Sequence, residues 1–336
     1  MKRLLYIGNK LSEHGYTSTS IETLGEFLES DGYTVYYASS QKNKYFRMME
    51  MIGKTISYSN KVDYVLIDTY STNNFWYAFI ISQLCRILKL KYIPKLHGGD
   101  LPNRIVKSKF FSRLIFNNAF VNIAPSNYLL NAFKDNGYTN LYYIPNTIEL
   151  DKYISFNKQF KSPKLLWVRS FSVIYNPLMA IKVFINLKMM YPDAELCMVG
   201  PKKDSSLEKA IRFAKNHNVE VNFMGKLSKQ KWIELSAAYN VFINTTHFDN
   251  TPISVIEAMA LGIPVVSTNV GGIPYLLKHD YNALLVSDNN IEAMTLQINR
   301  IFIEPNLANK MTGNAKESIK SFDWDMVKKQ WKDLLR

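Results

Sequence analysis

Two doubly wound α/β domains are what this sequence predicts, on three observations. Its 336 residues exceed what one hydrophobic core usually serves, and 47% apolar content is ample for two. Strand-length apolar runs alternate with helix-length runs in both halves, the rhythm of sheets covered by helices. The chain also opens as such a fold should. An apolar strand, Arg3 to Ile7, meets Gly8 and the loop GNKLSEHG, and a helix capped near Thr17 or Ser18 follows. The glycine spacing is not GxGxxG, so no dinucleotide cofactor is indicated.

The charge balance narrows the partners. A formal net charge of +13 calls for an acidic one: nucleic acid, a phosphorylated substrate or an anionic membrane face. No helix-turn-helix, zinc-finger or RNP-type motif accompanies it, which argues against nucleic acid. Cys85 and Cys197 sit singly in apolar surroundings as reduced packing residues, and the five histidines lack HExxH spacing, so no protein-built metal site is expected. No run of 18 or more apolar residues occurs, and the apolar part of MKRLLYIGNK is too short for a signal peptide. A cytoplasmic protein is the expectation.

In the first half, Tyr33 to Ala38 reads as a second strand. The stretch after it interleaves Lys42, Lys44, Arg47, Lys54 and Lys61 with Tyr45, Phe46, Met48, Met49, Met51 and Ile52. That composition suits a helix lying on an anionic bilayer, and equally one that packs Met and Phe on its own core behind a solvated basic face. Val62 to Asp68 is a third strand, Asn73 to Leu88 an apolar helix and Lys91 to Leu96 a fourth strand, ending in His97, Gly98, Gly99 and Asp100. Ligands of open α/β sheets bind outside the carboxyl ends of strands, which makes His97 a candidate. A second basic concentration, from Arg86 to Arg113, is opposed only by Asp100. Ala119 to Ala124 is a fifth strand, Ser126 caps a helix ending at Gly137, and Leu141 to Ile144 leads to Pro145. A linker is expected over Asn146 to Ser162.

In the second half, Lys164 to Val168 is a strand whose end carries Arg169, and a helix starts near Pro177. Glu195 to Val199, ending at Gly200, Glu220 to Met224 and Val241 to Asn244 follow as strands. Then comes the most informative stretch, Asp249 to Gly272. Thr251 and Pro252 form a helix start, with a hydroxyl to cap free amides and a proline harmless at the first helical position. The helix ends where Gly262 permits a left-handed cap and Pro264 forbids continuation. Val265 to Thr268 is a buried strand opening onto Gly271 and Gly272. Glu257 is a carboxylate inside this apolar helix, and it leans toward the first turn, over Ile253 and Ser254. Two readings fit: a pocket where amides hold phosphate while Asp249 and Glu257 accept from sugar hydroxyls, or a carboxylate meeting a neighbouring Arg or Lys.

The order of these parts, Asp249, Glu257, Ala258 to Ala260, Gly262 to Val266, Gly271 and Gly272, resembles the signature of glycosyltransferase family 4, retaining enzymes of the GT-B fold. The resemblance implies two Rossmann-like domains facing across a cleft. It implies further that Glu257 holds ribose hydroxyls and Asp249 the transferred sugar, that His97 lies near that sugar, and that Arg169 clamps the diphosphate with amides around Asn250, Thr251, Pro252, Ile253 and Ser254. Gly8 would border the cleft, with Gly15 on the same loop. The family's usual second clamp, a lysine, is absent: Ile174 and Tyr175 stand in that region, leaving Lys202 or Lys203 as substitutes.

The expected organisation is an acceptor-side domain over 1–155, a nucleotide-sugar domain over 156–320, and a terminal helix over 321–336, amphipathic through Trp324, Val327 and Trp331, returning to the first domain. The expected reaction moves a sugar from a UDP- or GDP-linked donor to a glycan or lipid-linked acceptor with retention, without a metal, in cell-surface glycan or glycolipid assembly. The chain would be peripheral on the inner membrane face. A nucleotide-sugar epimerase and a non-catalytic nucleotide-sugar sensor are the rivals.

Overall fold

The structure is a computed structural model that describes residues 2–15, 18–155 and 161–336. The chain divides into two compact units, 1–147 with 324–336, and 148–323.

The first unit contains β1 (Arg3–Ile7), α1 (Ser20–Ser30), β2 (Thr34–Ala38), α2 (Lys44–Ser57), β3 (Tyr64–Tyr70), α3 (Phe75–Ile87), β4 (Tyr92–His97), α4 (Leu101–Lys107), α5 (Lys109–Phe116), β5 (Asn122–Ala124), α6 (Asn127–Asp135) and β6 (Leu141–Tyr143). The second contains β7 (Lys164–Val168), α7 (Pro177–Met190), β8 (Glu195–Val199), α8 (Ser206–Asn216), β9 (Asn222–Gly225), α9 (Lys229–Ser236), β10 (Val241–Asn244), α10 (Ile253–Ala260), β11 (Val265–Thr268), α11 (Ile273–Leu276), β12 (Leu284–Val286), α12 (Ile291–Ile303) and α13 (Leu307–Ile319). The last helix, α14 (Trp324–Leu334), belongs to the first unit.

Each unit is a six-stranded parallel sheet, ordered β2-β1-β3-β4-β5-β6 in the first and β12-β11-β10-β7-β8-β9 in the second. The order reverses between β1 and β3, and between β7 and β10. Such switch points open a crevice at the carboxyl ends of the strands. The inner strands are buried on both faces and read as nearly continuous apolar runs, while the edge strands β6 and β9 are partly exposed. On the first sheet Leu4, Tyr6, Leu66 and Ile93 pack one face against α1 and the α14 residues Trp324, Val327 and Trp331, while Leu5, Ile7, Val65 and Ile67 pack the other against α2 and α3. On the second, Leu165, Trp167 and Ile243 face α7 and α12, whereas Leu166, Phe242 and Val265 face α10. The run Val173–Met190 is long and apolar enough to cross a membrane, but Met179, Val183, Phe184 and Leu187 within it are core residues of this second sheet.

Several local expectations are corrected. The cap of α1 is Thr19, not Ser18: its amide donates to Glu22 Oε2 at 2.8 Å in a capping box, a pairing that residue types three apart make available. Thr17 lies outside the described residues. The linker expectation falls partly on residues 156–160, also outside them. Helices α4, α5 and α11 add to the expected elements. Helix α10 starts at Ile253 rather than Pro252, and Thr251 does not cap it; Pro252, with ψ of 116°, occupies the cap position itself. Proline's fixed φ suits either position, and the extended ψ decides between them.

Helix α2 turns Arg47, Met51 and Thr55 inward and leaves Tyr45, Phe46 and Met49 exposed, so Phe46 does not pack on the core. The Arg47 guanidinium instead ties the preceding loop, donating to Gln41 O at 2.7 Å, Lys42 O at 2.9 Å and Asn9 Oδ1 at 2.9 Å. Tyr77 at the start of α3 donates to Lys44 O at 3.2 Å, and Trp76 meets Phe111 of α5 edge-on at 5.1 Å. Exposed Tyr45, Phe46 and Met49 thus stand beside a rim that continues through Trp76 and the exposed Phe110, with Lys42 and Lys44 just before Tyr45 and Lys107 and Lys109 just before Phe110 in sequence.

Candidate functional site

In the second unit the candidate residues gather where the strand order reverses. Arg169 follows β7, and Asp249 lies on the loop after the adjacent β10. The Arg169 Nη2 pairs with Asp249 Oδ2, its Nε donates to Asn244 Oδ1 at 3.3 Å, and the guanidinium lies 4.8 Å from the centre of the Tyr175 ring. Asn244 is held in turn by its own amide on Ser267 Oγ at 2.9 Å. The second Asp249 oxygen accepts from the Asn250 amide at 2.8 Å. The fork of Arg169 is therefore oriented by three side chains before any ligand arrives, the condition for bidentate phosphate recognition.

Glycines lock this arrangement. A Cβ on Gly200 would fall 1.7 Å from Arg169 O, because Arg169 N bonds Val199 O and the two strand ends run in contact. Gly271, with φ of +53°, has room for no side chain either: its Cβ would lie 2.3 Å from Asp249 O, while the Gly272 amide donates to that oxygen at 2.9 Å. Gly271 and Gly272 thus hold the backbone of Asp249 and Asn250 in place.

Ile174 and Tyr175, which occupy the region of the expected lysine, are also spoken for. His247 N donates to Ile174 O at 2.8 Å and Thr245 Oγ1 to Tyr175 O at 2.9 Å, tying the loops after β7 and β10 together. Lys202 is exposed and ion-paired with Glu208, and the Lys203 amide donates to Phe171 O at 3.1 Å.

Glu257 sits in the second turn of α10 and is almost fully buried. Its Oε1 accepts from the Tyr153 hydroxyl at 2.8 Å and from Lys229 Nζ at 3.0 Å. A neighbouring lysine does meet this carboxylate, as one of the two sequence readings held. Burial first, and then Glu257, push the Tyr153 phenol far above its ordinary value, so it serves as donor. Asn250 and Thr251 are buried ahead of the helix, and Ser254 Oγ is buried with no hydrogen-bond partner among the described residues. A helix start with its unpaired first amides, an unsatisfied hydroxyl and a guanidinium nearby in the fold is chemically an anion site. The sequence missed Lys229, Tyr153 and Asn244. Only Asn244 carried a signal, being a polar residue that ends an apolar strand.

Gly8 and His97 belong to the first unit. The Gly8 amide is used on Ala38 O at 2.8 Å, and its Cα packs so closely that a Cβ would lie 2.8 Å from Asp68 Oδ2. Gly15, with φ of +83°, makes a left-handed turn. His97 ends β4 with Nε2 2.8 Å from Asp68 Oδ1 and its ring stacked on Tyr70 at 4.8 Å. Burial lowers its pKa, more than Asp68 raises it, so the ring is neutral at pH 7. Among the described residues no group of His, Cys, Asp and Glu has a metal-holding arrangement.

Two parallel Rossmann-like units with this crevice chemistry define a protein of the GT-B type. Residues 152–318 match the family model of glycosyl transferases group 1, and that region belongs to the family. An uncharacterized glycosyltransferase of Haemophilus influenzae is 27% identical over 156 residues, 46% of this chain and 44% of that protein. The UDP-Gal:alpha-D-GlcNAc-diphosphoundecaprenol alpha-1,3-galactosyltransferase of Escherichia coli is 24% identical over 194 residues, 52% of this chain and 48% of that protein. The chain thus spans about half the length of these curated relatives. Anabaena HepE, solved in complex with UDP and glucose, superposes with a TM-score of 0.80 over 100% of this chain and 99% of that one, at 16% identity, a likeness of fold.

Proposed function

We propose that this protein is a retaining, hexosyl-transferring glycosyltransferase that takes its sugar from a UDP- or GDP-linked donor. The observation that carries this reading is the joint presence of Arg169, Asp249 and Glu257 around the start of α10. In the proposed scheme Arg169 and the amides of the Thr251–Ser254 turn receive the diphosphate, neutralising charge as it leaves. Glu257 accepts from the ribose hydroxyls and Asp249 from those of the transferred sugar, near the anomeric carbon. His97 meets a substrate hydroxyl. The scheme routes no step through a metal. The E. coli relative's name and the UDP bound to HepE support a uridine donor over the alternatives.

Donor hydrolysis tests the reading. Wild type should turn over one member of a UDP- and GDP-sugar panel, and Asp249→Ala should lose that turnover. Equal, negligible turnover in both would favour a nucleotide-sugar sensor, and interconversion of sugars without transfer an epimerase. UDP or GDP should raise the melting temperature of wild type by mass action, and Glu257→Ala should lose the shift while Lys229→Met keeps it. A shift that survives in Glu257→Ala makes that carboxylate structural.

The acceptor is proposed to be a glycan or lipid-linked, in cell-surface glycan or glycolipid assembly, with the chain cytoplasmic and peripheral on the inner membrane face. Exposed Tyr45, Phe46, Met49 and Phe110, flanked by Lys42, Lys44, Lys107 and Lys109, support the membrane contact. Each basic residue near an anionic surface contributes on the order of 1 kcal/mol. Co-sedimentation with phosphatidylglycerol vesicles should occur at low salt, weaken at high salt and drop in Phe46→Ser/Met49→Ser. No sedimentation at low salt removes the membrane from the scheme.

A further inference from the structure

Near the carboxyl end of β3, beside the end of β4, lies a buried polar group that the scheme above leaves unused. Strand parity puts it there. Leu66 pairs with Ile93, Asp68 with Lys95 and Tyr70 with His97, so Asp68, Tyr70, Lys95 and His97 continue the row of side chains that begins with Leu66 and Ile93. Tyr6 of β1 joins the same face. Asp68 therefore stands at the switch point between β1 and β3, with its side chain fully enclosed.

A buried carboxylate must be held by donors, and this one is held through a single oxygen. Asp68 Oδ1 accepts from Tyr6 Oη at 3.0 Å and faces His97 Nε2 at 2.8 Å. Oδ2 has no hydrogen-bond partner among the described residues. Burial first, then Asp68, raise the Tyr6 phenol well above its ordinary range, which keeps it a donor. An ionised carboxylate only accepts, so the short contact to Nε2 needs the histidine's hydrogen on that nitrogen. In the neutral ring the other nitrogen, Nδ1, then carries a lone pair. The Tyr70 ring stacked at 4.8 Å fixes the plane of the imidazole, and Gly98, with φ of +81°, turns the chain away directly after it.

We propose that Asp68 is a positioning residue that locks His97 as its Nε2–H tautomer, so that Nδ1 is presented as a hydrogen-bond acceptor to a substrate hydroxyl. This rests on the reading of His97 as a substrate contact. Asp68 acts on the substrate only through the ring. Partners one step removed from the reacting groups orient them in this way, and losing one typically weakens the function roughly tenfold or more.

The test uses the full-length protein, with the ring nitrogens of His97 assigned by the signals lost in His97→Gln. In wild type, Nε2 should show a directly bonded hydrogen and Nδ1 the shift of an unprotonated nitrogen. In Asp68→Asn, which keeps the shape but can donate to Nε2, the ring should move toward the Nδ1–H tautomer. Its kcat/KM for the donor selected in the panel should fall roughly tenfold, with the melting temperature checking the fold. An Nδ1–H tautomer in wild type overturns the proposal without any variant. Wild-type turnover by His97→Gln would instead sink the substrate-contact reading and leave the tautomer result to be judged on the spectra. Impaired His97→Gln beside an Asp68→Asn with unchanged spectrum and turnover would sink the positioning role alone.

Discussion

The two sheets handle charge at their switch points in opposite ways. In the second unit each charge meets its opposite at a loop or helix start: Arg169 with Asp249, and Lys229 with Glu257. In the first unit the charges Asp68 and Lys95 lie inside the end of the sheet and bond mainly to neutral groups, Tyr6, the His97 ring, Ser20 and Asn146. A ligand can exchange for a partner in the first kind of pair, because both members keep their orientation through third groups and one face stays reachable. The second kind is scaffolding: it fixes a ring or a strand end, and its charges are set by burial. The difference separates groups that bind from groups that hold.

The sharpest way to break this distinction is to remove Arg169. If it exists to receive departing negative charge, Arg169→Ala should lower donor turnover roughly 100-fold or more, on the scale seen when one preorganised stabilising donor is lost. Arg169→Lys should recover little, since a point charge replaces a planar fork that is braced by Asn244 and Tyr175. Steady-state rates of donor hydrolysis measure both. Turnover within a factor of about three of wild type in Arg169→Ala would make the Arg169–Asp249 pair scaffolding as well, and the contrast between the units would vanish.

The same contrast explains what the sequence disclosed. The order of strands along the chain was legible, and strands such as Lys164–Val168, Glu195–Val199 and Val241–Asn244 to the residue, since doubly buried parallel strands are uninterrupted apolar runs. The stretch from Asp249 to Gly272 was legible because its spacing carries one helix start and two glycines that pack on backbone. Lys229 and Tyr153 were not: Tyr153 is 104 residues from Glu257, and nothing local to either marks the meeting. Asp68 had a readable signal, since Tyr6, Asp68, Lys95 and His97 share strand parity, but it ends a run, VLID, that passes for plain core. Helices α4 and α5 were hidden by a basic composition that spreads Lys and Arg around their apolar positions, blurring the period.

A smaller effect should sharpen the scaffolding side. Lys95 Nζ donates to Ser20 Oγ at 2.8 Å and Asn146 Oδ1 at 3.2 Å, and burial lowers its pKa to about 8, with Asp68 opposing the shift. Its ordinary value is 10.5. Between those limits the unfolded chain keeps a proton that the folded chain has released, so the unfolded state binds more protons and this group's contribution to stability rises with pH. Below about pH 8 the folded state carries the full penalty of a buried ammonium. His97, neutral across this range, adds nothing to the slope, and the phenols of Tyr6 and Tyr70, both raised well above 10.0, act in the opposite sense only where the unfolded chain's tyrosines ionise. The comparison is therefore made between about pH 8 and 9.5, inside the window that the lysine sets. Over that range the urea midpoint of wild type should climb relative to that of Lys95→Met, which keeps the stem and removes the titrating group. Parallel midpoints would mean that Lys95 is solvated like any surface lysine, and the interior around Asp68 and Lys95 would then be open to water and to ligands, as the second unit's pairs are.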